Sequence, residues 1–110
     1  MAFIAIQGLA PRGGTKKQDQ LTSFGLQLSK STSLPAIVPD SWAQAFSLLN
    51  SVIGRRKTVV LLDEISWMSA GERDFAGILK IAWDTELSKH AKLILVLCGS
   101  VSSWIDKNIF

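Results

Sequence analysis

The sequence predicts an α/β fold in which helices pack on a parallel β-sheet. Strand-like apolar segments alternate with segments of helical periodicity, a pattern that favours parallel strands joined by right-handed crossovers. Two of the strand-like segments, Thr58 to Leu62 and Leu93 to Cys98, are almost continuously apolar. Runs of this kind are typical of strands buried on both faces, so we expect a three-layer arrangement with helices on both sides of the sheet.

The first part of the chain is predicted to contain a strand, a loop and a helix. Phe3 to Gln7 has the composition of a short strand, and the stretch behind it, which contains Pro11 and two adjacent glycines, marks a loop. Gln18 to Lys30 follows with helical periodicity, because its apolar residues recur at the spacing of one helix face. These residues are Leu21, Phe24 and Leu28.

The next predicted helix has clear signals at both ends. Ser41 and Gln44 have the spacing of a capping box, and Gly54 is a natural stop. The apolar residues between these signals share one face, so we expect them, including the tryptophan, in the core. They are Trp42, Ala45, Phe46, Leu49 and Ile53.

A third helix is predicted over Glu72 to Leu87, between the two apolar strands. Its buried stripe is expected to consist of Phe75, Ile78, Leu79, Ala82 and Trp83. After the strand Leu93 to Cys98, a Gly-Ser pair is expected to lead into a short final helix through Trp104 and Ile105.

The composition indicates one globular domain. The chain has 110 residues, of which 47% are hydrophobic and 19% charged, enough apolar surface for a core and too little charge for a disordered tail. Part of the net charge of +3 lies in two basic groups, Arg12 with Lys16 and Lys17, and Arg55 with Arg56 and Lys57. Both groups fall in predicted loops, where solvated basic residues are ordinary, so they favour nucleic-acid binding only weakly.

Cysteine usage and the absence of long apolar segments favour a soluble protein of the cytoplasm. Cys98 is the only cysteine, so no internal disulfide can form. It ends an apolar run and is expected to be a small core residue. No stretch has the pattern of a signal peptide or the length of a transmembrane helix.

The segment with the most chemical information is the end of the strand Thr58 to Leu62. Asp63 and Glu64 follow it directly, at the end of a central strand where parallel sheets bind ligands. In extended backbone their side chains would point to different sides, so they could have different roles. The alternative is structural, because acids after a strand also cap helices and solvate loops. Gly99 and Ser100 follow the next strand, where they could sense a phosphate or simply form a turn.

Two longer stretches carry a family resemblance. The sequences LLDEISWMS and FAGILKIAWDTELSKHAKLILVLCGSVSSWI closely resemble prokaryotic AAA-type P-loop ATPases related to the archaeal ATPases of the signal-transducing NTPase class. The resemblance implies a partial three-layer parallel sheet of the P-loop NTPase type. It implies that Asp63 and Glu64 belong to the Walker B motif and that Ser100 occupies the sensor position.

The resemblance also implies ligands and roles for these residues. Asp63 would coordinate Mg²⁺, often through water, Glu64 would activate the attacking water, and Ser100 would sense the γ-phosphate of ATP. Residues 1–110 would then be a partial P-loop ATPase domain that runs from the Walker B to the sensor region.

The chain departs from this family in one important respect. The phosphate loop expected before Phe3 is absent, and the segment from Gly13 to Lys16 has neither the spacing nor the residue order of such a loop. We therefore expect no ATP hydrolysis by the chain alone. We also expect Leu93 to Cys98 to form a sheet edge that associates with a separate chain or with itself. The alternatives are a non-catalytic interaction module or gene remnant that docks on another chain and, less favoured, a DNA-associated module.

Overall fold

A computed structural model describes residues 1–99, and in it three parallel strands form one sheet. The strands are β1 (Ala2–Gln7), β2 (Thr58–Asp63) and β3 (Leu93–Leu97), in the order β1-β2-β3. Both neighbouring pairs are parallel, with Thr58 of β2 opposite Ala2 of β1 and Leu93 of β3. The predicted α/β class is therefore confirmed, with β2 in the centre of the described sheet.

Two long helices connect β1 to β2, as the periodicity predicted, and α2 begins at the predicted cap. They are α1 (Lys17–Ser31) and α2 (Trp42–Val52). The Ser41 hydroxyl accepts a hydrogen bond from the backbone N–H of Gln44 at 3.1 Å. The Gln44 side chain accepts from the backbone N–H of Asp40, one residue before the position that a capping box requires.

The connection from β2 to β3 differs more from the prediction. It contains a short helix α3 (Ile65–Met68), which was not predicted, then α4 (Phe75–Thr85) and a 3₁₀ turn (Leu87–Lys89). The predicted helix over 72–87 is thus shorter at both ends. Its first residues instead form a turn in which the N–H of Phe75 donates to the carbonyl of Glu72 at 3.3 Å.

An aromatic cluster forms the centre of the core, as the stripe on α2 predicted. Trp42 is fully buried and packs edge-to-face against Phe24 of α1 and Phe75 of α4, with ring centroids 5.4 Å and 4.9 Å apart. Phe46 completes the cluster. Trp83 of α4, also expected in the core, is half-buried and packs against the hydrophobic core from its margin.

All described helices cover the same face of the sheet, so the expectation of two covered faces is wrong for residues 1–99. Ile4, Ile6, Val60 and Leu62 point into the core, while alternate residues on the opposite face remain accessible. The two crossovers run in the same direction across the sheet, and right-handed crossovers with a common direction place their helices on a common face. The described part therefore has two layers, helices and sheet.

The predicted final helix through Trp104 and Ile105, and the sensor candidate Ser100, lie outside the described residues. Within residues 1–99, every helix falls short of the length and apolar character needed to cross a membrane.

Candidate active site

The carboxyl ends of all three strands meet at one edge of the sheet and are tied together by backbone hydrogen bonds. The N–H of Gly8 donates to the carbonyl of Asp63 at 3.0 Å, and the N–H of Cys98 donates to the carbonyl of Leu62 at 3.0 Å. The N–H of Ile65 donates back to the carbonyl of Cys98 at 3.1 Å. The ends of the three strands, which are far apart in sequence, therefore fix the position of the backbone that carries the candidate acids.

Gly8 permits an unusually close approach at this edge of the sheet. A Cβ at this position would lie 2.6 Å from the carbonyl oxygen of Glu64 and 2.6 Å from the backbone nitrogen of Met68. Real Cβ atoms do not make contacts this short, so β1 can end against the Glu64 turn only with glycine here. Sequence reasoning placed Gly8 at the start of a loop and missed this contact; the only available signal was a glycine at the end of a strand.

Asp63 is the last residue of β2 and is half-buried. Its Oδ1 accepts a hydrogen bond from the backbone N–H of Glu64 at 2.9 Å. Its carboxylate also accepts a hydrogen bond from the Cys98 thiol, because β3 ends beside it. The sheet thus places the acid between the central strand and the end of β3, at the edge predicted from the sequence.

Cys98 is exposed beside Asp63, so the expectation of a buried core cysteine is wrong. Partial desolvation, the charge of Asp63 and the hydrogen bond to that carboxylate raise the pKa of the thiol, and the charge of Glu64 adds to the effect. A backbone hydrogen bond at Gly99 acts in the opposite direction. The thiol consequently stays protonated near neutral pH, which argues against a nucleophilic role.

Glu64 has a left-handed backbone conformation, with φ 53° and ψ 52°. It is the sole residue other than glycine with positive φ within residues 1–99. This conformation turns the chain sharply from β2 into α3, whose Trp67 and Met68 N–H groups donate to the Glu64 carbonyl at 3.0 Å. The side chains of Asp63 and Glu64 therefore diverge because the chain turns at Glu64. The sequence had instead predicted that they diverge because side chains alternate along an extended strand.

The left-handed conformation has an energetic cost for a residue with a side chain. For L-amino acids it is less stable by about 1–2 kcal/mol, because Cβ approaches a carbonyl oxygen. Outliers of this kind concentrate at functional sites, where the surrounding structure maintains them. Glycine would adopt this conformation without strain, yet the chain has glutamate here. This choice favours a functional role for the Glu64 side chain over the alternative that it caps a helix. Glu64 precedes α3, but its side chain makes no capping hydrogen bond there.

An open cleft of about 550 Å³ lies beside α3, next to the acid edge but not including it. Its lining residues include Ser66, Ser69, Glu72 and Arg73. The Ser66 hydroxyl is buried and has no hydrogen-bond partner among the described residues. Glu72 forms an ion pair with Lys17 at 3.3 Å, which joins this region to the start of α1.

The loop before α1 has the geometry of a surface turn. Gly13 and Gly14 are exposed, Gly14 has φ 95°, and the N–H of Thr15 donates to the carbonyl of Arg12 at 2.9 Å. The second basic group, 55–57, is exposed in the loop that precedes β2. It therefore lies at the amino ends of the strands, whereas Asp63 lies at their carboxyl ends.

Within residues 1–99 no group of three or more His, Cys, Asp or Glu side chains is arranged to hold a metal ion. Mg²⁺ bound with a nucleotide does not need such a group, because it usually keeps water ligands and takes one or two carboxylates plus phosphate oxygens. Asp63, a half-buried carboxylate at a sheet edge, has the oxygen chemistry that this kind of site uses.

Comparison with family models, with curated proteins and with solved structures found no match to this chain. The class of fold that the structure defines is a small α/β unit built on an open parallel sheet. The P-loop ATPase family stays a resemblance in the sequence, and the function inferred from it stays a proposal.

Proposed function

We propose that this chain supplies the magnesium-binding and water-activating acids of an ATP-hydrolysing P-loop domain. The observation that carries the proposal is the position of Asp63 and Glu64 at the carboxyl end of the central strand, where three strand ends meet. In open α/β sheets this is the edge at which ligands bind. The strained backbone of Glu64 adds independent support, because residues held in such conformations cluster at functional sites.

Asp63 is the residue proposed to hold Mg²⁺, through water. Its half-buried carboxylate has a fixed orientation, because one oxygen accepts the Glu64 N–H. When bound with ATP, Mg²⁺ neutralises negative charge on the phosphates during transfer. The contribution of the chain is to fix the carboxylate at the edge of the sheet.

Glu64 is proposed to orient and deprotonate the attacking water. A general base must lie within hydrogen-bond reach of that water, and the position of Glu64 in a left-handed turn just beyond the end of β2 supports this role. Ser100 is proposed as the γ-phosphate sensor on the basis of sequence position, since it follows β3, which ends at the same edge.

Phosphate binding is the function that the described residues do not supply. No loop within residues 1–99 has a glycine-rich phosphate-binding sequence, and phosphoryl transfer depends on positioning and charge neutralisation more than on a single base. We therefore expect the purified chain to show no ATPase activity above background.

The proposal is tested by joining a strand, phosphate loop and helix from a complete P-loop ATPase to Met1 and measuring ATP binding and turnover. In this protein Glu64→Gln should retain ATP binding and reduce turnover by about 100-fold or more, because the general base is lost. Asp63→Ala should weaken the Mg²⁺ dependence of binding. The matched control is Glu86→Gln, which removes a half-buried acid away from the site and should leave turnover unchanged. Undiminished turnover in the Glu64→Gln protein would overturn the assignment.

A stability measurement on the unmodified chain tests the strain at Glu64 separately. Glu64→Ala removes the carboxylate and keeps the left-handed strain, whereas Glu64→Gly removes both. The glycine variant should therefore have the higher free energy of unfolding of the two, by about 1 kcal/mol. Urea unfolding followed by circular dichroism gives the difference. Equal stabilities would mean that the turn is not strained and would remove that support for a functional role.

A further inference from the structure

A second cleft lies where the strands of the sheet begin, at the opposite end from the candidate acids. Its volume of about 680 Å³ is typical of sites that bind small molecules. It is lined by residues 31–35, 51–52 and 54–56 and by the beginning of β1 and β2. We call it the arginine cleft, because Arg55 and Arg56 both line it.

The charge of the arginine cleft is positive. Among the described residues that line it none is an acid, and neither arginine forms an ion pair within residues 1–99. The cleft beside α3 has a similar volume but a mixed charge, because Glu72 lines it together with Arg73. A ligand of the arginine cleft therefore meets two guanidinium groups that no carboxylate within residues 1–99 contacts.

The loop that carries the two arginines is held in place by hydrogen bonds from both neighbouring strands. The hydroxyl of Thr58, a residue that is 2% exposed, donates to the carbonyl of Arg56 at 3.0 Å. The N–H of Ala2 donates to the carbonyl of Lys57 at 2.8 Å. The backbone that carries the guanidinium groups is thus fixed before a ligand binds, which lowers the ordering cost of binding.

The C-terminal ends of α1 and α2 also face the arginine cleft, and such ends carry partial negative charge. Hydroxyl groups satisfy one carbonyl in each last turn. Thr32 Oγ1 donates to the carbonyl of Leu28 at 2.8 Å, and Ser51 Oγ donates to that of Leu48 at 2.6 Å. Since a helix end contributes less than charge-assisted hydrogen bonds from two guanidinium groups, the cleft favours an anion.

We propose that the arginine cleft binds a small organic phosphate, namely a phosphate monoester with an apolar body. Guanidinium groups donate pairs of parallel hydrogen bonds to phosphate oxygens. A monoester carries about 1.5 to 2 negative charges near neutral pH, so two arginines match it better than they match a single carboxylate. The half-buried side chains of Leu34 and Val52 line the same cleft and provide contacts for the apolar body.

The experiment titrates the whole chain with phenyl phosphate, without metal or nucleotide, and follows the backbone amide resonances by NMR. We expect the resonances of Leu34, Val52 and Thr58 to shift and saturate. Those of Ser69 and Ala70, in the cleft beside α3, should stay unchanged.

Two further ligands separate the contributions of the phosphate and of the apolar body. Phenyl phosphate should bind about fivefold more tightly than inorganic phosphate, because only the ester contacts the apolar side chains of the cleft. It should bind about tenfold more tightly than benzoate, which has the same ring but a single negative charge and fewer acceptor oxygens.

Matched variants locate the hydrogen-bond donors. Arg55→Gln and Arg56→Gln should each weaken phenyl phosphate binding by roughly tenfold, because each removes charge-assisted hydrogen bonds. Arg12→Gln and Arg73→Gln remove exposed arginines that form no ion pair within residues 1–99, and should leave the affinity unchanged. Arg55→Lys combined with Arg56→Lys keeps the charge but should retain only part of the affinity, since lysine lacks the bidentate geometry. Circular dichroism verifies that all of these variants fold.

Four results would overturn the inference. The first is the absence of saturable shifts at the cleft residues, and the second is an equal loss of affinity in the control variants. The third is full affinity in the double lysine variant, which would mean that the cleft attracts anions without recognising phosphate. The fourth is equal affinity for benzoate, which would assign the cleft to carboxylates.

A lipid with a phosphate monoester head offers the same chemistry as a soluble ester, so vesicles form a separate arm of the experiment. Sedimentation of the chain with phosphatidylcholine vesicles that contain phosphatidic acid, without binding of phenyl phosphate, would overturn the assignment to a small molecule. The ATPase proposal is tested independently, because Asp63 and Glu64 lie at the other end of the strands and no Mg²⁺ or ATP is present here.

Discussion

The two edges of the sheet are built differently. At the carboxyl end of β1, side-chain amides from α1 occupy the place of a neighbouring strand. The N–H of Gln7 donates to Gln27 Oε1 at 2.8 Å, and Gln27 Nε2 donates to the carbonyl of Gln7 at 2.8 Å. Gln20 makes the same pair of hydrogen bonds with Leu9, at 2.8 Å and 3.0 Å. At β3, the outward N–H and C=O groups of the strand have no comparable side-chain amide within residues 1–99.

The difference shows how a sheet edge can be closed without another strand. A glutamine side chain offers one donor and one acceptor in the geometry of a peptide group, so it satisfies both outward groups of one strand residue. An edge treated in this way does not recruit a partner, whereas an unprotected apolar edge does. Within residues 1–99 the sheet edge is therefore capped at the carboxyl end of β1 and uncapped along β3, and the following changes test that distinction.

The largest effect is expected for Gln20→Leu. Gln20 is buried, at 2% exposure, and its removal leaves the N–H and C=O of Leu9 without their partners. Because unsatisfied, partly buried polar groups are costly, the free energy of unfolding should fall by about 1–2 kcal/mol. Urea unfolding measures the change. Gln18→Leu, on the exposed side of the same helix, serves as the control, because it removes only longer hydrogen bonds to Thr22 and Pro39, at 3.2 Å and 3.5 Å. An equal loss in both variants would show that the buried amide pair matters no more than these bonds do.

A smaller effect is expected for Gln27→Leu, because its amide pair with Gln7 is exposed to water. The loss of stability should be about 0.5 kcal/mol. The more informative measurement is amide hydrogen exchange. In the original chain the Gln7 amide should exchange more slowly than the outward amide of Leu95, and the substitution should bring the two rates together. Similar rates before the substitution would contradict the distinction between the edges.

The smallest effect is expected for Ile94→Thr and Val96→Thr. Both side chains are already largely in water, so each substitution should change the free energy of unfolding by less than about 0.5 kcal/mol. A loss of 2 kcal/mol or more in urea unfolding would mean that the face is covered within the chain. The buried neighbour Val60 provides the contrast, since Val60→Thr should be clearly destabilising.

The features that the sequence predicted well are those that short segments determine. The cap at Ser41 and the burial of Trp42 follow from the spacing of residues within one helix, and both are confirmed. The position of Asp63 and Glu64 at a strand end follows from the apolar run before them. The spacing of residues within one short segment is enough to predict each of these features, because none of them depends on a distant part of the chain.

The features that were missed depend on contacts between distant segments. Nothing in an uninterrupted apolar strand such as β3 shows that residues 1–99 cover only one of its faces, since that depends on the direction of the crossovers. The two hydrogen bonds between the Gln20 side chain and the backbone of Leu9 could not be predicted. In a sequence, a helical glutamine that becomes buried looks the same as an exposed polar residue. The left-handed turn at Glu64 was equally hidden, since glutamate rarely adopts that conformation.

The pairing of β1 with β2 has a consequence for folding during synthesis. Ala2 pairs with Thr58, so 56 residues (58 − 2) separate partners that lie side by side in the sheet. At a translation rate of 5–20 residues per second, β1 waits roughly 3–11 s before its neighbour has been made. The glutamines of α1 are synthesised well before β2 and are the first groups able to engage the backbone of β1. A nascent chain that lacks Gln20 and Gln27 should therefore expose an apolar strand with no part of either edge paired until β2 has been made.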